Sequence, residues 1–272
     1  MYEKFYGFTE KPFNTTPDPR FFFPSNKHTE ALNSLIYAVQ ERKGFVVITG
    51  EIGAGKTTVS RALLNKLDMN TKVALITNTH ITAKELIAQI LQELEVEYKP
   101  GGKQKLLAQL NDYLIRQLSA DANVVLIIDE AQNLKAQQLE QIRLLSNLET
   151  DKDKLLQIVL VGQPELNHKL SLYELRQLQQ RIMIRYHISP LDKLEVKEYI
   201  RHRLNIAGAA NQIDFTDEAT EMVFNFSGGT PRLINIICDR ALLAGYVAET
   251  NNIDAGIINK CMEELGSYYV TQ

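Results

Sequence analysis

The sequence has few cysteines and no long apolar run. Its two cysteines, Cys238 and Cys261, lie among apolar residues with helical spacing. Disulfide frameworks need more cysteines and an oxidising compartment, so this usage predicts reduced thiols in a buried core. No apolar run approaches the ~18 residues that a membrane-spanning helix needs. Residues 1–5 lack the apolar core of a signal peptide, so we expect no transmembrane segment in this chain and a cytoplasmic location.

The sequence also lacks an excess of positive charge. It holds 30 Lys and Arg against 33 Asp and Glu, for a formal net charge of −3 at pH 7. Nucleic-acid-binding domains carry clustered positive charge, so the composition gives no strong signal for a nucleic-acid partner. A local basic face remains an alternative, because Arg201, His202 and Arg203 are consecutive and the net charge does not show such a cluster.

One missing motif excludes the small GTPases. Residues 65–68, Asn-Lys-Leu-Asp, match the N-K-x-D pattern that recognises guanine in that class, but they fall inside a predicted helix. The D-x-x-G pattern of the same class occurs nowhere in the chain. The guanine-specific interpretation therefore fails.

A glycine-rich stretch near residue 50 indicates a phosphate site. It consists of Gly50, Glu51, Ile52, Gly53, Ala54, Gly55, Lys56, Thr57 and Thr58. An apolar run at 45–49 predicts a buried strand before it, and apolar residues at helical spacing, 59–67, predict a helix after it. This context supports the pattern G-x-x-x-x-G-K-T, in which backbone N–H groups cradle phosphate oxygens. The stretch therefore predicts a nucleoside triphosphate site.

Two side chains of this stretch have expected roles there. Lys56 can reach the β- and γ-phosphates, and the Thr57 hydroxyl can ligate Mg²⁺. The helix that follows points its positive end at the same anion. A nucleoside triphosphate and Mg²⁺ are therefore the expected ligands.

Acidic and amide side chains end two other predicted strands. Asp129 and Glu130 follow the apolar run 124–128. Ligand sites in open α/β sheets form at the carboxyl ends of strands, which places these carboxylates beside the phosphates. Asp129 suits the Mg²⁺ shell and Glu130 suits activation of the attacking water. Gln163 ends another predicted strand, where it either positions water against the γ-phosphate or is an exposed polar residue.

Two arginines are candidates for contact with the phosphates. Thr230 and Pro231 predict the N-cap and first residue of a helix. A cation at the positive end of a helix is locally unfavourable, so Arg232 makes better sense beside an anion such as a γ-phosphate. The second candidate comes from a cluster of three, Arg176, Arg181 and Arg185. We take Arg181 as an arginine finger for a neighbouring subunit; the alternative for each of the three is a surface arginine.

The order of predicted elements divides the chain into three parts. Residues 1–26 are rich in aromatic residues and prolines, which predict an extended segment that either covers the core or flanks the nucleotide base. Residues 27–190 alternate strands and helices, which predicts an α/β domain with a doubly wound parallel sheet. Residues 191–272 predict a second, all-helical domain.

Together these motifs resemble the AAA+ superfamily, with Walker A at 50–57, Walker B at 124–130 and sensor 2 at 229–232. More narrowly, the chain resembles the ExeA/GspA/MshM-like ATPases of bacterial envelope systems. The segments that carry this resemblance are 5–8, 11–13, 17–22, 50–58, 128–132, 161–166 and 228–232. The resemblance implies a P-loop α/β core with a five-stranded parallel sheet of order 5-1-4-3-2 and a C-terminal helical lid. It also implies ATP as the nucleotide, Gln163 as sensor 1, Arg181 as the finger, and nucleotide-dependent homo-oligomers.

Three functions follow as hypotheses. The leading one is a Mg²⁺-dependent ATPase that assembles or remodels an envelope protein partner for secretion, pilus formation or polysaccharide export, in the cytoplasm or peripheral to the inner membrane. The second is a DNA-associated AAA+ regulator of the transposition type. The third is a small-molecule kinase that uses the same phosphate loop, for which the sequence offers no evident acceptor site.

Overall fold

The computed structural model describes residues 1–150, 153–208 and 213–269, so residues 209–212 and 270–272 of the predicted C-terminal domain lie outside the described residues. The chain divides into two compact units. Unit 1 comprises Met1–Asn26, Gly53–Thr58 and Ser189–Gln272, and unit 2 comprises Lys27–Ile52 and Val59–Ile188. In this division the N-terminal segment belongs to unit 1 and does not stand apart.

Unit 2 is built on a five-stranded parallel sheet. Its strands are β1 (Phe45–Gly50), β2 (Thr71–Ile76), β3 (Asn123–Ile128), β4 (Gln157–Gly162) and β5 (Ile182–Ile188). Their order is β2-β3-β4-β1-β5 with every pair parallel, which confirms the predicted order. The register aligns Thr49 with Gly162 and with His187, so β4, β1 and β5 end at one edge. Strand β1 and strand β4 are buried along their whole length, which explains their continuous apolar sequences.

Helices alternate with these strands, as the sequence predicted. They are α2 (Asn26–Gln40), α3 (Lys56–Leu64), α4 (Ala83–Glu93), α5 (Lys103–Ser119), α6 (Ala136–Leu145), α7 (Glu165–Leu170) and α8 (Arg176–Gln179). Helix α4 begins with a capping box, because Thr82 accepts the N–H of Glu85 at 3.2 Å and the Glu85 carboxylate accepts the N–H of Thr82 at 2.6 Å. Leu86 and Ile90 of α4 then join Leu110 of α5 in the buried core.

Unit 1 is mainly helical. Its elements are α1 (Tyr2–Tyr6), α9 (Lys193–Ile206), β6 (Asp214–Phe215), α10 (Asp217–Ser227), α11 (Pro231–Val247), β7 (Asn252–Ile253) and α12 (Ala255–Tyr269). The prediction of an all-helical domain is wrong at one point, because β6 and β7 pair in parallel with Phe215 opposite Ile253. Both side chains are buried, but two-residue strands are too short to produce an alternating pattern in the sequence.

Cys238 and Cys261 are free and buried, and burial raises the pKa of Cys261 to about 11.

The N-terminal segment begins with a helix and contributes to the core of unit 1. The prediction of an extended segment is wrong for residues 2–6: helix α1 ends at Tyr6, with Gly7 as its C-cap at φ +74°, well before the first proline at Pro12. Four rings of the segment lie in the same hydrophobic cluster as α9 to α12: Tyr2, Tyr6, Phe8 and Phe13. The Tyr6 hydroxyl donates to the carbonyl oxygens of Leu242 and Thr250, both at 3.1 Å. These rings therefore cover a core, the first of the two expected alternatives.

Candidate functional site

The predicted phosphate loop connects strand β1 to helix α3. β1 ends at Gly50 and α3 begins at Lys56. Gly53 and Gly55 have φ angles of +80° and +93°, in the left-handed region that only glycine adopts without steric cost. Lys56 is 7% exposed. The loop therefore offers backbone N–H groups and a buried lysine at a helix N-terminus, which suits phosphate oxygens.

The other predicted loop residues differ in their exposure. Glu51 and Ile52 are exposed, whereas Ala54 is buried. Thr57 and Thr58 lie half-buried in the first turn of α3. Thr57 thus directly follows Lys56 at the helix start, as its expected role as a Mg²⁺ ligand requires.

The first turn of helix α11 packs on this loop within unit 1. The backbone N–H of Arg232 donates to the carbonyl oxygen of Gly53 at 3.3 Å. A Cβ atom on Gly53 would lie 2.6 Å from the Cβ of Arg232 and 3.2 Å from the Cγ2 of Thr230, so only glycine fits there. The fold therefore brings Arg232, which the sequence singled out for its place at a helix start, to the phosphate loop.

A glycine pair sets the start of α11. Gly228 ends α10 with φ +54°, and Gly229 has φ +77°. A Cβ atom on Gly229 would lie 1.9 Å from the carbonyl oxygen of Leu191, whose own N–H donates to the Gly229 carbonyl at 2.9 Å. Thr230 occupies the N-cap as predicted, but its side chain makes no capping hydrogen bond. Close backbone packing, and not a hydroxyl cap, fixes the position of this turn.

The two predicted acids follow strand β3 in unit 2. The N–H of Asp129 continues the pairing with β2 by donating to the carbonyl of Ile76 at 2.9 Å. The Asp129 carboxylate accepts the N–H of Glu130 at 2.9 Å. Glu130 has φ +53° and ψ +36°, a left-handed conformation that costs a residue other than glycine about 1 to 3 kcal/mol. Such conformations persist where surrounding contacts enforce them, and they cluster at active sites.

Two glutamine amides hold the Glu130 carboxylate. The Nε2 of Gln132 donates to the Oε2 of Glu130 at 2.5 Å, and the Nε2 of Gln163 approaches the same oxygen at 3.4 Å. The Oε1 of Gln132 accepts the backbone N–H of Gln163 at 3.0 Å. The fold thus unites Glu130 and Gln163, which the sequence predicted separately. It adds Gln132, which we did not predict as a site residue although it stands only two positions after Glu130.

A second polar cluster, also missed from the sequence, lies at the end of β1. Thr49 is 2% exposed, and its hydroxyl accepts from the Nδ2 of Asn167 at 3.1 Å. The same hydroxyl lies 3.1 Å from the Nδ1 of His187 on β5. The three residues are far apart in the sequence; the strand register pairs Thr49 with His187, and helix α7 brings Asn167 to the same hydroxyl.

The predicted arginine cluster is dispersed over different contacts. The Nη1 of Arg181 donates to the Oγ of Ser146 in the same chain at 2.8 Å. The guanidinium of Arg176 stacks over the ring of Tyr173 at 4.1 Å, and Tyr173 is 80% exposed. Arg185 is exposed on β5. The assignment of Arg181 as a finger therefore stays a prediction. Arg176 is more exposed than Arg181.

The basic triplet of α9 does not form a basic face. Arg203 is 6% exposed; it donates to the carbonyls of Pro12 and Asn14 and stacks over the ring of Phe21 at 4.5 Å. His202 is half-buried, and desolvation lowers its pKa from 6.5. Only Arg201 is exposed. The structure therefore removes the basic triplet as support for the DNA hypothesis, which now depends on the shared AAA+ module alone.

The described part of the chain contains neither a larger metal cluster nor a membrane-spanning helix. Within residues 1–150, 153–208 and 213–269 there is no group of three or more His, Cys, Asp and Glu able to hold a metal ion. A Mg²⁺ ion bound with a nucleotide needs fewer protein ligands, so the roles expected of Thr57 and Asp129 stay predictions. In the same residues no helix has the length and apolar character to cross a membrane.

Comparison with known proteins gives a family and a fold. The AAA domain family matches residues 39–170. General secretion pathway protein A of Aeromonas hydrophila is 46% identical over 266 residues, covering 97% of this chain and 48% of that protein. The chain therefore spans about half the length of this curated relative.

Solved structures of low identity share the fold. The Aeropyrum pernix ORC2 protein matches with a TM-score of 0.72 and 14% identity, over 94% of this chain and 72% of that one. Cdc6p from Pyrobaculum aerophilum matches with a TM-score of 0.68 and 18% identity, over 96% and 70% of the two chains. The RuvB Holliday junction branch migration motor of Thermotoga maritima matches with a TM-score of 0.59 and 21% identity, over 87% and 69%. The family match over residues 39–170 and the 46% identity over nearly the whole chain agree: the chain belongs to the AAA+ family of general secretion pathway protein A.

Proposed function

We propose that this AAA+ ATPase is Mg²⁺-dependent and hydrolyses ATP to assemble or remodel a protein partner in a bacterial envelope system. The contact between Gly53 and Arg232 carries the ATPase part, because it joins the phosphate loop to a cationic residue on a separate helix. The 46% identity to general secretion pathway protein A supports the envelope part.

Each site residue has a distinct role in this proposal. The N–H groups of residues 50–55 and Lys56 bind the β- and γ-phosphates, and Thr57 and Asp129 hold Mg²⁺, which supplies charge neutralisation at the phosphates. Glu130 takes the proton of the attacking water, with Gln163 beside it. Arg232 senses the γ-phosphate from the first turn of α11.

We further propose that residues 191–272 act as a lid and that Arg232 couples the lid to nucleotide state. Arg232→Ala should lower turnover more than it lowers affinity for a slowly hydrolysed ATP analogue. Arg240→Ala, an exposed arginine of the same helix, is the matched control. Equal turnover in the two variants would contradict the role of Arg232.

Three measurements test the enzymatic proposal. Purified chain should release phosphate from ATP without any added acceptor, which separates it from a small-molecule kinase. EDTA should abolish turnover and excess Mg²⁺ should restore it. Turnover that persists in EDTA would refute the metal dependence, and phosphate transfer only with an added small molecule would favour a kinase.

Assembly and location have their own tests. We propose nucleotide-dependent homo-oligomers with Arg181 acting on a neighbouring subunit, in the cytoplasm and peripheral to the inner membrane. Light scattering should give a larger mass with the ATP analogue than without it. An unchanged mass would refute nucleotide-driven assembly, and cell fractionation that recovers the chain only outside the cytoplasmic and inner-membrane fractions would refute the location.

A further inference from the structure

The side chain of Gln132 fills a space that exists because residue 162 is a glycine. It lies in a 3-10 turn, Ala131–Asn133, immediately after Glu130. A Cβ atom on Gly162 would lie 2.8 Å from the Oε1 of Gln132 and 3.2 Å from its backbone N. Glycine at the end of β4 therefore makes room for the Gln132 amide.

The amide of Gln132 makes contacts with two different elements. Its Nε2 donates to the carboxylate of Glu130 at 2.5 Å, and its Oε1 accepts the N–H of Gln163 at 3.0 Å. Because an amide has a donor and an acceptor at opposite corners, one side chain ties the residue after β3 to the residue after β4. No carboxylate, hydroxyl or apolar side chain of similar length can make both bonds.

The turn that carries Gln132 is itself fixed. The Nζ of Lys169, on α7, donates to the carbonyl oxygens of Gln132 and Leu134, the latter at 2.8 Å. Glu130, with its left-handed backbone, directly precedes this turn, and its carboxylate accepts from the Gln132 amide. The fixed turn thus gives the amide a fixed base from which to hold the carboxylate.

We propose that Gln132 is a positioning residue that holds the Glu130 carboxylate against the end of β4, so that Glu130 and Gln163 act as one unit. The proposal rests on the proposed ATPase function, in which Glu130 is the base. A base displaced by about 1 Å loses on the order of 100-fold in rate. Gln132 thus acts on the chemical step and leaves nucleotide binding unchanged.

Gln132→Met tests this in the 272-residue chain, because it keeps the side-chain length and removes both hydrogen bonds. We expect kcat to fall about 10- to 100-fold while the Kd for a slowly hydrolysed ATP analogue stays within about twofold. Gln132→Glu keeps an acceptor for the Gln163 N–H but sets a carboxylate against Glu130, so its kcat should fall at least as far. Gln137→Met, an exposed glutamine on α6, should leave both quantities unchanged.

A double-mutant cycle separates positioning from general structural damage. Gly162→Ala should lower kcat where Gln132 is present, because the new methyl group displaces the amide. In a Gln132→Ala chain the same substitution should cause a smaller loss in kcat, since the amide is gone and only the contacts with the Leu166 side chain and the backbone N of residue 132 remain. Additive losses, or a Gln132→Met chain that binds the analogue poorly, would overturn the positioning role.

The outcomes also distinguish this role from the function on which it rests. A wild-type chain without ATP turnover would overturn the ATPase proposal and this one with it. A wild-type chain that turns over, matched in kcat by Gln132→Met, would overturn only the role of Gln132.

Discussion

Replacing Gly53 with alanine should force helix α11 away from the phosphate loop. A methyl group there would lie 2.6 Å from the Cβ of Arg232, closer than ordinary carbon contacts allow. Overpacking of this kind typically costs about 1 to 3 kcal/mol. The φ angle of +80° adds a left-handed backbone penalty of about 1 to 2 kcal/mol for alanine. Gly53→Ala should therefore destabilise this region by about 2 to 5 kcal/mol.

Gly228→Ala isolates the backbone part of that cost. Gly228 also has a positive φ, +54°, but nothing lies within 4 Å of the position of its Cβ. Alanine there should cost only the left-handed penalty of about 1 to 2 kcal/mol. The difference between the two variants measures the steric contact with Arg232.

Thermal unfolding and nucleotide affinity provide the assay. Gly53→Ala should lower the Tm by at least about 2 °C more than Gly228→Ala does. It should also weaken binding of a slowly hydrolysed ATP analogue by about 10-fold, which corresponds to about 1.4 kcal/mol of strain placed on the loop. The close packing of α11 on the loop would be refuted if Gly53→Ala had the same Tm as Gly228→Ala and bound the analogue with wild-type affinity.

Two further predictions concern helix α9. Arg203→Met should destabilise the chain by about 1 to 3 kcal/mol for each backbone carbonyl left without a donor, at Pro12 and Asn14. Arg201→Met, an exposed arginine of α9, should be nearly neutral in urea unfolding, and equal effects would contradict the buried anchor. Burial lowers the pKa of His202 from 6.5, so its contribution to stability is present above about pH 6.5 and is lost as pH falls through the folded-state pKa. His202→Phe should therefore reduce the loss of stability between pH 7.5 and 5.5, and an unchanged loss would exclude this titration.

Periodicity and motif context predicted the α/β core well. The apolar runs at 45–49 and 124–128 stand inside the observed strands Phe45–Gly50 and Asn123–Ile128. These strands are buried on both faces, so their sequences are continuously apolar and easily recognised. The sheet order came from the resemblance to AAA+ ATPases, since periodicity alone does not say which strands are neighbours.

The missed features depend on contacts between residues far apart in the chain. The pairing of Asp214 with Asn252 joins two very short strands, and neither has a pattern of its own. Arg203 looked like a surface cation beside Arg201, but the N-terminal segment covers it. Gln132 looked like an ordinary polar residue, because its role depends on the space that Gly162 leaves on another strand.

The fold brings some of the predicted site residues into contact with other site residues, but not all of them. Arg232 was chosen because a cation at a helix N-terminus is unfavourable without an anion, and the fold places that helix start on Gly53. Glu130 and Gln163 were chosen because they end strands, and they meet because those strands are neighbours. No sequence feature of this kind singled out Arg181 as the arginine finger. Its guanidinium donates a hydrogen bond to Ser146 in its own chain.

The most direct test of the account is ATP binding and turnover in Glu130→Gln and Lys56→Ala. Glu130→Gln should bind ATP with near wild-type affinity and lower kcat by about 100-fold or more, because it removes the base and leaves the loop intact. Lys56→Ala should lose binding as well as turnover. Glu165→Gln and Lys66→Ala, exposed residues of the same types, should behave like wild type. Wild-type turnover in Glu130→Gln or Lys56→Ala would contradict the account.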